Sequence, residues 1–596
     1  MAGKSASNSA SFSIPIWVSF LAITLAVAWV YGNVRDFGFT NWDDPTYVRD
    51  NPLIRAKGWG AIQELFSVFL SGNYHPLVLL SYWMEIHGIK DSPVIFHTTN
   101  LILHGINAGL LVFILKRWIP ILPATLGALV FAVHPLHVES VAWITERKDV
   151  LYTFFLCLSW IAWLQFNKSK YNNYLYYILS IVLFIASGLS KGQAVVLVPI
   201  LMVGDWLSGQ SLYDKRWWMR LAPFIVLAMG IGVLAIYAQQ HHSNVRIQQG
   251  YGFFEQFLAG GYAFSFYVQK VLLPLRLSAF YVYPSLTDGI PISLIIGAIT
   301  GFALIGAAIW FWRKDKPLLA AFAWLFLPLF PVLQFLPVGN AIAADRYMYV
   351  PMIGVAFGFG VLFHRLSPQI KKYPWVIAAA ILSIGTWGYL ARQRTMVWKD
   401  SFSLWQDVIV HYPEAAIAWN SLANAYYDQQ QYPQAIQYFE EALLRDSSDV
   451  KTYNNLGNSY DKTGNPQKAI PLFLKALHLK PEDAMAWTNL GVTYEHAGLR
   501  DSAIVAHTRS VELSPSPLGY ANLGNVLERA GQLEASEKYC RKALEMDPNY
   551  ALAHNNLGVA LYRMGRVPEA IESLKMAARL GYPTAQAYLS ENGIAW

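Results

Sequence analysis

The sequence predicts an all-α protein in two parts: a multi-pass transmembrane helical domain over residues 1–395, then a solenoid of helical repeats over residues 413–581. Three observations predict it. Of 596 residues 55% are hydrophobic and 14% charged, against about 25% charged in soluble domains, so the apolar surplus must meet lipid. Charge is uneven: residues 1–412 carry 29 Lys and Arg against 18 Asp and Glu, residues 413–596 carry 16 against 20. Finally, one short motif recurs at a fixed period, in the second part alone.

A crossing needs roughly 20 apolar residues. Such runs fall near 13–31, 94–115, 121–134, 149–166, 174–188, 192–207, 219–238, 290–312, 318–336, 348–365 and 375–391, which is eleven spans. The run Ile14 to Val30 follows Lys4, lacks a small-residue cleavage site and precedes further spans, so it reads as an uncleaved signal anchor. Basic residues cluster in alternate loops: Lys116 and Arg117; Lys168 and Lys170; Lys215, Arg216 and Arg220; Arg313, Lys314 and Lys316; Arg365, Lys371 and Lys372. These hold 13 basic residues against two acidic ones, Asp214 and Asp315, which places them in the cytoplasm. Eleven crossings then put the repeats on the periplasmic or luminal side. Counting the run Phe257 to Leu275 as a crossing would carry Arg313, Lys314 and Lys316 outside, so it is read as re-entrant or interfacial. The basic residues are thus accounted for by topology, and nucleic acid is excluded as a partner. Two cysteines, Cys157 and Cys540, are too few for a disulfide framework.

Residues 396–412 are expected to form a linker helix. Beyond them the tracts around Ala423, Gly457, Gly491, Gly524 and Gly558 (W-N-S-L-A, Y-N-N-L-G, W-T-N-L-G, Y-A-N-L-G, H-N-N-L-G) recur at intervals of 34, 34, 33 and 34. That period is the tetratricopeptide (TPR) helix pair. The small residues Ala435, Ala469, Ala503, Ala535 and Ala570 are expected where the second helix of each pair approaches the first, Pro481 and Pro548 end repeats, and residues 582–596 cap the last one.

Two outer loops carry the ionisable residues. The first, Tyr31 to Pro93, is too long for a connector; it contains N-W-D-D-P with the adjacent acids Asp43 and Asp44, then N-Y-H-P-L with His75. Paired carboxylates perturb each other, bind a cation or leave one as a general base; the plainer alternative is an N-cap in front of Pro45. The second, His134 to Asp149, holds His134, His137, Glu139, Glu146, Arg147, Lys148 and Asp149 between apolar helices, where ionisable groups face a protein-lined cavity. His134, His137 and Glu139 have the types of metal ligands, but their spacing favours hydrogen-bonded structural histidines, and no metal is assigned. Arg147 and Lys148 suit a phosphate clamp, with interfacial snorkelling as the alternative. Lys191 (S-K-G-Q) and Arg346 (A-D-R-Y-M-Y) fall on the same side. Acids to activate an acceptor and bases to hold a phosphate suggest glycosyl transfer from a lipid-linked sugar.

The series N-W-D-D, N-Y-H-P-L, F-H-T-T-N-L-I-L-H, F-A-V-H-P-L-H-V-E-S-V, E-R-K-D-V-L, S-K-G-Q and A-D-R-Y-M-Y-V-P, followed by TPRs, resembles the transmembrane and TPR repeat-containing O-mannosyltransferases over essentially the whole chain. The resemblance implies a GT-C-like glycosyltransferase fold over residues 1–395, a polyprenyl-phosphate-linked hexose (mannose) as donor and Ser or Thr hydroxyls as acceptor. It also implies inversion, with Asp43 or Asp44 as catalytic base. The chain departs from that pattern at E-R-K-D, where glycine, arginine, a small residue and aspartate are expected, and at S-K-G-Q. Residues His75, His134, His137, Glu139, Arg147, Lys148, Lys191 and Arg346 are the candidates for holding donor phosphate and sugar. Asn455, Asn489, Asn522 and Asn556 recur at one position of successive repeats, a ladder able to grip an acceptor polypeptide in the TPR groove as in O-linked N-acetylglucosamine transferases; alternatively they tie their own turns together. Other readings are a non-catalytic TPR scaffold for envelope assembly, which would need one span rather than eleven, and a GT-C enzyme with a non-protein acceptor. The sole N-x-[ST] sequon, Asn167, lies in an expected cytoplasmic loop, which favours a bacterial inner membrane over the endoplasmic reticulum.

Overall fold

The computed structural model describes residues 14–168, 173–240, 251–335, 339–367 and 374–596; Lys4, Lys170, Lys371 and Lys372, used above for topology, lie outside them. The chain divides into two compact units, Met1–Pro413 and Glu414–Trp596. Among the described residues there is no strand, only two isolated bridges, Leu70 with Asn73 and Tyr281 with Ala343.

In the first unit five helices are long and apolar enough to cross a membrane: Pro93–Leu115, Ile144–Lys168, Lys215–Gln240, Ile292–Trp312 and Trp375–Trp398. A sixth is the bent pair Ile121–Val133 and Pro135–Ala142, turned by 54°. The bend has a local cause: Pro135 donates no amide and forces His134 out of the helical region, to φ −69° and ψ 134°. The other expected spans are shorter apolar helices, Ile16–Tyr31, Tyr174–Ser190, Gly192–Leu207, Lys316–Val332 and Met352–Leu366. The segment expected to be re-entrant or interfacial is the 20-residue helix Phe253–Leu272, which is not among the five long crossings. Glycines let these helices touch backbone to backbone: a Cβ on Gly127 would lie 2.2 Å from the Ala356 carbonyl oxygen, and one on Gly301 would lie 1.9 Å from that of Gly261.

The long first loop has a core of its own. Its helices Trp59–Leu65 and Pro76–Gly88 close over Tyr47, Val48, Ile54, Leu65 and Tyr82, which pack against Phe96 and Ile144 of the helical bundle. The helix Ser401–His411 also belongs to the first unit: Trp405 donates to Asn41 Oδ1 at 2.7 Å, and the Asn41 amide donates to Ser401 Oγ at 2.9 Å.

The second unit is five antiparallel helix pairs, from Ala416–Asp428 with Tyr432–Arg445 through to Ala551–Arg563 with Val567–Arg579, closed by the helix Pro583–Glu591. Ala435, Ala469, Ala503 and Ala570 are fully buried where each pair closes. In the fourth repeat that position belongs to Ser536, not to the expected Ala535: Ser536 is buried and its hydroxyl donates to the Gly524 carbonyl at 2.7 Å. The position stands twelve residues after the motif glycine, as Ala503 does after Gly491 and Ala570 after Gly558, and the hydroxyl is tolerated because it finds a backbone acceptor.

Candidate active site

Where the first loop meets the start of the helix Arg147–Lys168, a cavity of about 500 Å³ is lined by Asp43, His75, Glu146, Lys148, Lys191 and Arg346 on its polar side. Its lining also includes an apolar wall, Ile231, Leu234 and Ala235, from the helix Lys215–Gln240, which is otherwise largely exposed.

The adjacent acids Asp43 and Asp44 have different surroundings. Asp44 is buried; its Oδ2 accepts from the Thr40 amide at 2.8 Å and hydroxyl at 3.0 Å, and its Oδ1 accepts from the Thr145 amide at 3.2 Å and from the Thr145 hydroxyl. Burial lifts its carboxyl above the ordinary value while these four donors pull it back. It precedes Pro45 but its side chain makes no cap bond to the following turn; it clamps the first loop to Thr145 instead. Asp43 opens into the cavity, its side chain 30% exposed, with Lys148 Nζ at 3.5 Å. The preceding Trp42 is wedged between Trp143, stacked with centroids 4.7 Å apart, and Trp405 at 5.0 Å, which fixes the backbone that presents Asp43.

Three cations converge beside it. Lys148 Nζ lies 3.2 Å, Arg346 Nε 3.5 Å and Lys191 Nζ 3.6 Å from the Glu146 carboxylate. Lys191 also donates to Asp149 Oδ1 at 2.5 Å, and Ser140 Oγ donates to Asp149 Oδ2 at 2.9 Å. Arg346 holds Glu139 with its guanidinium and, at 3.1 Å, with its backbone amide. His75 is buried at the rim; burial, and then Lys148 and Lys191, hold its imidazole well below the ordinary value, so it is neutral, and its Nδ1 has no protein partner.

Other candidates lie away from the cavity. Arg147 is fully buried: it donates to Asn100 Oδ1 at 2.6 Å, Glu85 Oε2 at 2.9 Å, the Phe96 carbonyl at 2.7 Å and Ser81 Oγ at 3.2 Å, with the Tyr82 ring beneath it. Those bonds pin the first loop to the helix Pro93–Leu115. His134 accepts from the Leu136 amide and donates to the Val271 carbonyl, and His137 packs between Phe131 and Tyr349. Among the described residues no three His, Cys, Asp or Glu side chains are grouped to hold a metal ion. Sequence reasoning passed over Trp42, although it adjoins the acid pair, and Glu146, although it stands in the E-R-K-D block.

In the second unit the ladder divides. Asn455 donates to Asn424 at 2.9 Å and Asn556 to the Ala521 carbonyl at 3.0 Å, both reaching back to the preceding repeat; Asn489 and Asn522 are partly exposed.

Fold and composition together define an all-helical membrane protein that carries a TPR array. Family models described as tetratricopeptide repeat match residues 414–482, 454–516 and 522–582. Among curated proteins, "Protein O-mannosyl-transferase TMTC3" of Mus musculus is 21% identical over 489 residues, covering 73% of this chain and 52% of that protein. "Protein O-mannosyl-transferase F38B6.6" of Caenorhabditis elegans is 24% identical over 405 residues, covering 62% and 54%. Among solved structures, YrrB, titled a TPR protein with an unusual peptide-binding site, is 24% identical, covers 31% of this chain and 97% of its own, and has a TM-score of 0.28. The chain is a homologue of the TMTC protein O-mannosyl-transferases and spans about half the length of the curated relatives it matches.

Proposed function

We propose that the protein is an inverting glycosyltransferase that moves mannose from a polyprenyl-phosphate donor to Ser or Thr hydroxyls of a polypeptide. The observation that carries this reading is one cavity with an open carboxylate, Asp43, beside a cluster of three cations, whose lining also includes an apolar wall from the helix Lys215–Gln240. The donor's prenyl chain lies along that wall and its phosphate meets Lys148, Lys191 and Arg346. The acceptor hydroxyl gives its proton to Asp43 as its oxygen bonds to the anomeric carbon, and the bond from that carbon to the phosphate oxygen breaks on the opposite face. The charge developing on the leaving phosphate is met by cations already in place. His75, neutral and with a free ring nitrogen, is placed to hydrogen-bond a sugar hydroxyl.

The TPR unit recruits the acceptor, with Asn489 and Asn522 free to bond an extended backbone and Asn455 and Asn556 holding the repeats together. The positive-inside bias of the loops supports a periplasmic or luminal side for this chemistry and for the repeats.

The test is sugar transfer by the purified full chain to a Ser/Thr-rich polypeptide. Polyprenyl-phosphate mannose is expected to serve as donor and GDP-mannose not, with the product anomer opposite to the donor's. Transfer from the nucleotide sugar alone, or a retained anomer, would overturn the assignment.

A further inference from the structure

The cavity's charges do not sum in favour of an anion. Lys148, Lys191 and Arg346 face four carboxylates, Asp43, Glu139, Glu146 and Asp149. With all seven ionised the cluster is one unit negative, and a phosphodiester adds a second negative charge to a buried site.

Glu146 is the carboxylate placed to resolve this. Glu139 and Asp149 are each held by hydrogen bonds from their partners, and Asp43 is partly exposed. Glu146 is 1% exposed, and neither of its oxygens has a hydrogen-bond donor, although three cations stand within 3.6 Å. It occupies the point on which the cations converge, with the Asp149 carboxyl at hydrogen-bonding approach beside it. A phosphate, with oxygens able to accept from all three cations, competes for that point.

On the reading of the cavity as the donor-phosphate site, we propose that Glu146 is an internal counter-ion for that phosphate. It neutralises the cations while the site is empty and takes up one proton from solvent when the donor binds, so that donor affinity is linked to pH. The other titratable groups facing Glu146 are His75, Tyr47, Tyr152, Asp43, Glu139 and Asp149. Two groups compete for that proton: His75, neutral and beside Lys148 and Lys191, and Asp149, the carboxyl paired with Glu146.

The test is calorimetry of the full chain in detergent with a farnesyl-phosphoryl-mannose diester. The probe has no titrating group between about pH 5.5 and 8.5, so buffers of differing ionisation enthalpy count protons taken up by the protein. One proton per diester is expected, with affinity falling about tenfold per pH unit. Glu146→Gln is expected to bind at pH 8 as tightly as the unmodified chain binds at low pH, with no proton uptake and no pH slope. The unmodified chain's proton count stands on its own if that variant folds poorly. Binding that Lys191→Met weakens but that takes up no proton overturns this inference and leaves the cavity reading intact. Uptake that survives in Glu146→Gln also overturns it, placing the proton on the imidazole if it vanishes in His75→Gln and on the neighbouring carboxyl if it vanishes in Asp149→Asn. Absence of diester binding, or binding indifferent to Lys191→Met, removes the cavity reading and this inference with it.

Discussion

Replacing Asp43 and Asp44 one at a time by Asn separates two adjacent carboxylates that have the same chemistry and different surroundings. Asp43 makes one ion pair, at 3.5 Å, and is partly exposed, so its loss costs the fold at most about 1 kcal/mol. As the general base it is worth about 10²- to 10⁴-fold in rate, or roughly 3–5 kcal/mol of barrier. Asp44 accepts four hydrogen bonds from Thr40 and Thr145. An amide there turns an NH₂ toward two donors, so two charge-assisted bonds are lost at about 1.5–3 kcal/mol each, roughly 3–6 kcal/mol of stability. The paired measurements are thermal unfolding in detergent and mannose transfer at a temperature where each variant is folded. Asp43→Asn is expected to melt with the unmodified chain and transfer at least about a hundredfold more slowly; Asp44→Asn is expected to melt well below it. Full activity in Asp43→Asn, or unchanged melting in Asp44→Asn, would refute the division of roles.

Three further outcomes follow from contacts elsewhere. Arg147→Met strands the buried Glu85 carboxylate and is expected to cost about 3–5 kcal/mol, much of it recovered by adding Glu85→Gln; equal melting of the single and double variants would argue against that pairing. Asp345 is buried with the Tyr281 hydroxyl at 2.7 Å, and burial foremost pushes its carboxyl up to about 7. Because the folded value lies above the unfolded one, its contribution is complete below about pH 4 and falls as pH rises through 7, by about 1.4 kcal/mol between pH 6 and 8. Melting curves of Asp345→Asn should lack that slope. In the repeats, a Cβ at Gly524 would lie 2.5 Å from Cys540 Sγ, so Gly524→Ala should destabilise the TPR unit by about 1–3 kcal/mol, read as a lower urea midpoint, with Cys540→Ala restoring part of it.

What could be read in the sequence followed from constraints that act on many residues together. Lipid demands long apolar runs, so the membrane helices were visible, and helix pairs stack at a fixed period, so Gly457, Gly491, Gly524 and Gly558 marked the repeats. Single side-chain directions were not visible in the same way. Asp43 and Asp44 differ by one residue, and it is the donors of Thr40 and of Thr145, the latter supplied from 101 positions away, that turn the second inward. Arg147 and Lys148 likewise read as one phosphate clamp, yet consecutive positions on a helix project about 100° apart, so the first meets Glu85 and Asn100 and the second meets the cavity. The fourth repeat carries serine where the others carry alanine, so residue type alone points one position away, to Ala535.

The bonds from Ser401 and Trp405 to Asn41 close over separations of 360 and 364 residues. During synthesis at about 5–20 residues per second, the loop bearing Asp43 must therefore wait roughly 20–70 s for its last support to emerge. Until Trp405 is made, Trp42 has at most one of the two indoles that flank it. A nascent chain stalled before Trp405 would hold most of its membrane helices and no finished cavity rim, so that rim is completed only as translation nears the repeats.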